Sequence, residues 1–181
     1  MDRTIPAIIT ALVLLGVLIL MWRSWRKRSR RDSELTAGYP LPETAGAGVA
    51  GAEAYYVATT PRDEPLERLA IAGLGFRARA SVVVTEAGIM LDLDGNQPVF
   101  IPAGAIDAVG SAQVAIDRAV ETDGLVRLTW RLAAGAGSTD RRAVDSYFRI
   151  IDPNDRARLV DSIRTISAAA TGPAHQDESE A

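Results

Sequence analysis

The chain has 181 residues, 48% hydrophobic, 24% charged and 6% aromatic, enough for one ordinary globular domain with an appendage. Cysteine is absent and His175, the single histidine, lies in a polar C-terminal stretch, which excludes disulfides, thiolate metal sites and thiol nucleophiles and leaves histidine-centred catalysis little to work with. The net charge of −3 hides two regions: residues 1–31 carry seven basic side chains against Asp2, and residues 32–181 carry 13 Arg against 22 acids, so the main domain is not drawn to nucleic acid.

Ile5 to Trp22 form an uncharged run of 18 residues, IPAIITALVLLGVLILMW. As a helix rising ~1.5 Å per residue it reaches about 27 Å, close to the ~30 Å hydrocarbon layer of a bilayer. Pro6 falls in the first turn, where its missing N–H costs little. Trp22 and Trp25 stand where apolar gives way to polar, the place of interfacial aromatic anchors, and Arg23, Arg26, Lys27, Arg28, Arg30 and Arg31 accompany them. A cleaved secretion signal carries its positive charge before a shorter apolar run, and Met21-Trp22-Arg23 lacks the small residues of a cleavage site. The sequence therefore predicts an uncleaved single-pass anchor in residues 1–31, with the span over 5–22 and a basic juxtamembrane flank over 23–31. Positive flanks stay in the cytoplasm, so the amino terminus is expected outside the cell membrane and the rest of the chain inside. The flank itself reads as a topology signal resting on lipid headgroups.

Residues 32–52 change to Gly, Ala, Pro, Ser and Thr without apolar periodicity and are expected to form a flexible linker. Residues 53–170 are long enough for a core of their own. Ala52 to Thr60 is a strand candidate stopped by Pro61, and a short helical turn is expected around Leu66 to Leu69. Ala78, Ala80, Val82 and Val84 alternate with Arg79, Ser81, Val83 and Thr85, the period of a half-buried strand. Ile89–Leu93 and Val99–Ile101 flank Asp94-Gly95-Asn96, a strong hairpin turn. Further strands are expected in Ala105–Ala112, Val114–Val120, Leu125–Leu132 and Val144–Ile151. In the last two, Val126, Leu128, Trp130, Leu132, Val144, Phe148 and Ile150 face inward, while Asp145, Tyr147 and Arg149 face outward. Asp152 is a good N-cap and Pro153 suits the first helical position. Leu159, Val160, Ile163, Ile166 and Ala170 then form one helical stripe. Residues 171–181 read as a disordered acidic tail.

About seven short strands followed by one amphipathic helix describe a mainly β domain: an antiparallel barrel capped by a C-terminal α-helix. That order, with LERLAIAGLGFRARASVVVTEAGI, FIPAGAI and the closing DPNDRARLVDSIRTI helix behind a single N-terminal span, resembles the membrane-anchored pleckstrin-homology-like (PH-like) proteins of actinobacteria. The resemblance implies a binding or scaffolding module rather than an enzyme. Lipid-binding PH domains carry a basic residue followed by Arg-x-Arg in the first hairpin; Arg77-Ala78-Arg79, with Arg62 or Arg68 upstream, is a partial match. Asp63, Glu64 and Glu67 crowd the same segment. Gly73-Leu74-Gly75-Phe76 looks like the carboxylate-binding loop of PDZ domains, but those end in a strand, whereas this domain ends in a helix.

Enzyme signatures are missing: the chain has no phosphate loop, GxSxG, HExxH or DxDxDG. Asp92 and Asp94 flank a hairpin turn and read as turn formers. No catalytic residue, metal site or cofactor is therefore expected. The expected partners are the bilayer, through the helix, and a protein bound at a sheet edge or at the loop from Ala133 to Arg142. The alternatives are headgroup recognition by Arg77 and Arg79, and service as an accessory subunit of a transport or export complex.

Overall fold

Alternation along the chain is what builds the sheet. Ala80, Val82 and Val84 bury one side of β2 (Ala78–Thr85), and Ile89, Leu91 and Leu93 bury the matching side of β3 (Gly88–Leu93). The computed structural model describes residues 4–32, 35, 37–42, 46–115, 118–119, 124–133 and 141–172. In chain order these form α1 (Thr4–Asp32), β1 (Gly48–Pro61), β2, β3, β4 (Val99–Pro102) and a 3-10 turn (Ala103–Ala105). There follow β5 (Ile106–Ala112), β6 (Val114–Ala115), β7 (Arg118–Ala119), β8 (Leu125–Arg131), β9 (Ala143–Ile150) and α2 (Pro153–Thr171). Seven strands make one antiparallel sheet in the order β4-β3-β2-β1-β9-β8-β5, and β6 and β7 form a separate hairpin.

β1 is the hinge of this sheet. Gly48 to Tyr56 pair with β2, Ala54 to Pro61 pair with β9, and a bulge falls between Tyr56 and Ala58. A bulge bends its strand and increases local twist, so one long strand serves both halves of the sheet. The 3-10 turn connects β4 to β5, the two edge strands, and α2 packs against that turn, β1 and β5. Leu159, Ile163 and Ile166 are its buried stripe. Asp152 caps the helix by accepting from the N–H groups of Asn154 (2.7 Å) and Asp155 (3.1 Å), as the sequence predicts. This is the mainly β, helix-capped architecture that the PH-like resemblance implies.

A line of polar groups crosses the core. It runs from Trp130 Nε1 to Ser146 Oγ (2.9 Å), then to Thr59 Oγ1 (2.7 Å), Tyr56 Oη (2.9 Å) and the Leu74 carbonyl (2.8 Å). An indole N–H only donates and a carbonyl only accepts, so the protons of the three hydroxyls between them satisfy every member.

Four expectations are revised. First, the region expected to be linker enters the fold: Ala37 is buried and Leu35 and Tyr39 pack on the core. The Tyr39 N–H bonds the Phe100 carbonyl at 3.0 Å, its hydroxyl reaches the Arg131 and Leu132 carbonyls, and β1 begins at Gly48. An aromatic with a polar tip can seal an edge strand, which composition alone does not show. Second, no helical turn forms over Leu66 to Leu69: a hydrogen-bonded turn spans Glu64–Glu67, and the chain then runs on irregularly as Leu69, Ile71 and Leu74 are drawn fully into the core. Third, Asp145 and Tyr147 lie on the outer face yet are covered. Tyr147 clusters with Val57, Ala58, Leu125 and Ala115 of β6, while Asp145 accepts from Thr129 Oγ1 (2.6 Å) and the Asp63 N–H (3.2 Å). Fourth, β6 and β7 replace the single strand expected over Val114–Val120. The tail from residue 173 and residues 134–140 of the loop before β9 lie outside the described residues.

α1 extends well past its apolar run. Ile5–Lys27 is long and apolar enough to cross a membrane, and Ile5, Leu12, Leu18 and Leu20 are all exposed.

Candidate functional site: an arginine-lined cleft on the outer face

Cross-strand pairing places an aromatic between two cations. Tyr55 of β1 stands opposite Arg79 of β2 on one side and Arg149 of β9 on the other. Residues directly opposite share a face, so Arg79, Tyr55 and Arg149 make one row on the outside of the sheet. Around this row lies a cleft of about 610 Å³ that also takes in Arg77, Leu125 and Ile151. Ile151 is 72% exposed, and Phe76, immediately before Arg77, is 86% exposed.

The Arg79 guanidinium lies over the Tyr55 ring, 5.8 Å from its centre. Stacking uses the flat face of a guanidinium and leaves its in-plane N–H fork free to grip an anion. Among the described residues no hydrogen bond or ion pair engages the Arg149 side chain. Glu53, Asp152 and Asp155 gather with Arg79 and Ile151 in an adjoining hollow, so one end of the cleft carries an acidic rim.

The loop that delivers Phe76 and Arg77 is bolted to the sheet. Arg68 donates to the Gly75 carbonyl (3.0 Å) and the Val57 carbonyl (2.8 Å), and the Leu69 N–H bonds the Thr59 carbonyl at 2.9 Å. Arg68 is thus a clamp inside the loop, not the upstream basic residue of a headgroup site. Arg62 turns elsewhere, with 3.7 Å contacts to Asp63 and Asp107. Glu64 and Glu67 line a separate hollow and leave the cleft uncrowded. In the Gly73–Phe76 stretch the Leu74 N–H bonds the Ile71 carbonyl, which removes one donor a PDZ-type carboxylate loop would need. The sequence singles out Arg77 and Arg79 but not Arg149, whose place beside Tyr55 depends on the pairing of β9 with β1.

Burial raises the Tyr147 hydroxyl pKa, partly offset by a hydrogen bond with Thr60, and burial raises that of Tyr56 further still. Neither hydroxyl is poised for proton transfer at neutral pH. Among the described residues no three of His, Cys, Asp or Glu are grouped to hold a metal ion. At the end of the apolar helix, Trp22 and Trp25 are exposed and the Arg26 guanidinium lies 5.2 Å from the centre of the Trp22 ring. Arg23 and Lys27 are exposed on the same helix, while the side chains of Arg28, Arg30 and Arg31 lie outside the described set.

The cleft and the Tyr39 attachment sit at opposite ends of β8. Leu125 opens the strand beside the cleft, whereas Arg131 and Leu132 close it beside Tyr39. Six residues of strand, about 20 Å, lie between them.

A search among curated proteins found no match to the chain. The family model described as Bacterial PH domain-like matches residues 34–164, which include Tyr39, all nine strands and most of α2. By fold and by this match, the chain belongs to the bacterial PH domain-like family.

Proposed function

We propose that the chain is a single-pass membrane protein whose PH-like domain captures a protein partner on the cytoplasmic side of the cell membrane. The position of the cleft carries this reading. Only six residues, 33–38, join the end of α1 to Tyr39, at most about 20 Å of extended chain. In this reading the Tyr39 end of the domain is tethered nearest the bilayer, beyond about 15 Å of helix after Trp22, and the arginine cleft lies about 20 Å further on, at the other end of β8. A headgroup site would open toward the lipid. Acid also outweighs base by nine charges from residue 32 onward, which opposes close approach to an anionic surface within a Debye length of roughly 8 Å. The cytoplasmic placement rests on the basic residues that follow the span.

The test is photo-crosslinking in intact cells, with a benzophenone amino acid at Phe76 and, separately, at Leu41 near the attachment. Discrete protein adducts at Phe76, with lipid adducts confined to Leu41, are expected. Lipid adducts at Phe76 would overturn the reading.

A further inference from the structure

Resting on that reading, we propose that the cleft takes an extended acidic segment of the partner protein, with carboxylates against Arg79 and Arg149 and an adjacent bulky apolar side chain against Phe76 and Ile151. Arg79 and Arg149 start from strands on either side of β1, so their backbones are about 10 Å apart, two strand spacings. Carboxylates two residues apart on an extended peptide lie on one face about 7 Å apart, within the span of two flexible arginine side chains. Each then meets a guanidinium whose planar fork matches a carboxylate in bidentate fashion.

The lining distinguishes this ligand from a phosphorylated headgroup. Tyr55 and Ile151 provide exposed apolar surface, which a sugar phosphate leaves unused and a Leu or Phe side chain covers. The net negative charge of the domain does not forbid an acidic guest: beyond a Debye length its field is screened, and inside the cleft the arginines are the nearest charges. The clamped loop presents Phe76 and Arg77 already ordered, so binding does not have to freeze them.

The experiment uses the full chain in nanodiscs. The probe is a fluorescein-labelled octapeptide alternating Asp with Leu and Phe, and its control has Asn at every Asp. Saturable binding is expected for the acidic peptide, with about tenfold loss for Arg79→Gln or Arg149→Gln, comparable loss in added salt, and at least tenfold weaker binding of the control. Both substitutions are at exposed positions, and an unchanged circular dichroism melt separates lost contact from lost fold. Displacement of the peptide by an equal concentration of a soluble inositol trisphosphate, with the same arginine dependence, would overturn the proposal and make the cleft a headgroup site. No peptide binding alongside protein adducts at Phe76 would sink the acidic-segment chemistry and leave the protein-capture reading standing. Absence of both would remove the two together.

Discussion

Gly88 turns the chain between β2 and β3 at φ +154°, where a Cβ would come 2.2 Å from the Ile101 carbonyl oxygen and 2.8 Å from Pro102 Cα. Those are backbone atoms of the neighbouring strand and cannot step aside. Gly88→Ala is expected to lower stability by about 3 kcal/mol, read as a lower urea midpoint. The buried tyrosines make a second residue-scale prediction. Tyr56 and Tyr147 have raised folded pKa values, so in alkali the unfolded chain loses those protons first. Their contribution to stability is complete below about pH 10 and declines as pH rises from there toward the folded values. Tyrosinate absorbance of the two should therefore appear together with loss of the β signal, and ionisation without unfolding would show that they are not buried. Arg77, just before β2, and Arg79, within it, were legible in the sequence as a spaced pair. Arg149 was legible as outward-facing, but its meeting with Tyr55 joins residues far apart in the chain, and local periodicity carries no information about that pairing.

The elements show the same division. Strands β2, β3, β8 and β9 and helix α2 were readable because one face of each is buried, and burial writes its period into the residues. The segment before β1 and the loop before β2 were not readable. Their order comes from single anchors, Tyr39 at the β4 edge and Arg68 between two carbonyls, with no repeating pattern. α2 is the element on which the sheet depends most, since it covers the turn between the two edge strands. Ile163→Asp would bury an unpaired charge in that contact, and a loss of about 3 kcal/mol or more is expected. An unchanged thermal melt would mean that the helix only rests on the sheet. Arg68→Ala should lower the melting temperature modestly and expose the Gly73–Phe76 stretch to proteolysis, because two carbonyls lose their donor.

For the whole molecule, the test of placement exploits a chain without native cysteine. Single cysteines at Ser33 and Ser179 should resist a membrane-impermeant thiol reagent in intact cells and react after lysis. Labelling of both in intact cells would reverse the proposed orientation. A mature chain beginning after Trp22 would remove the anchor.

The Tyr39 attachment also has a mechanical consequence. Under the proposed anchoring, tension between bilayer and partner would enter the domain through the packed Leu35 and Ala37 and the bridge and hydroxyl of Tyr39, loaded at the margin of the sheet where bonds peel singly instead of sharing the load. This fastening should yield long before the strands do. Its release frees residues 39–47 as well, adding about 30 Å to a leash of about 20 Å. In a force-extension trace the event would be a small early step ahead of domain unfolding, and Tyr39→Ala, which keeps the backbone bridge but loses the hydroxyl contact, would lower the force at which it occurs.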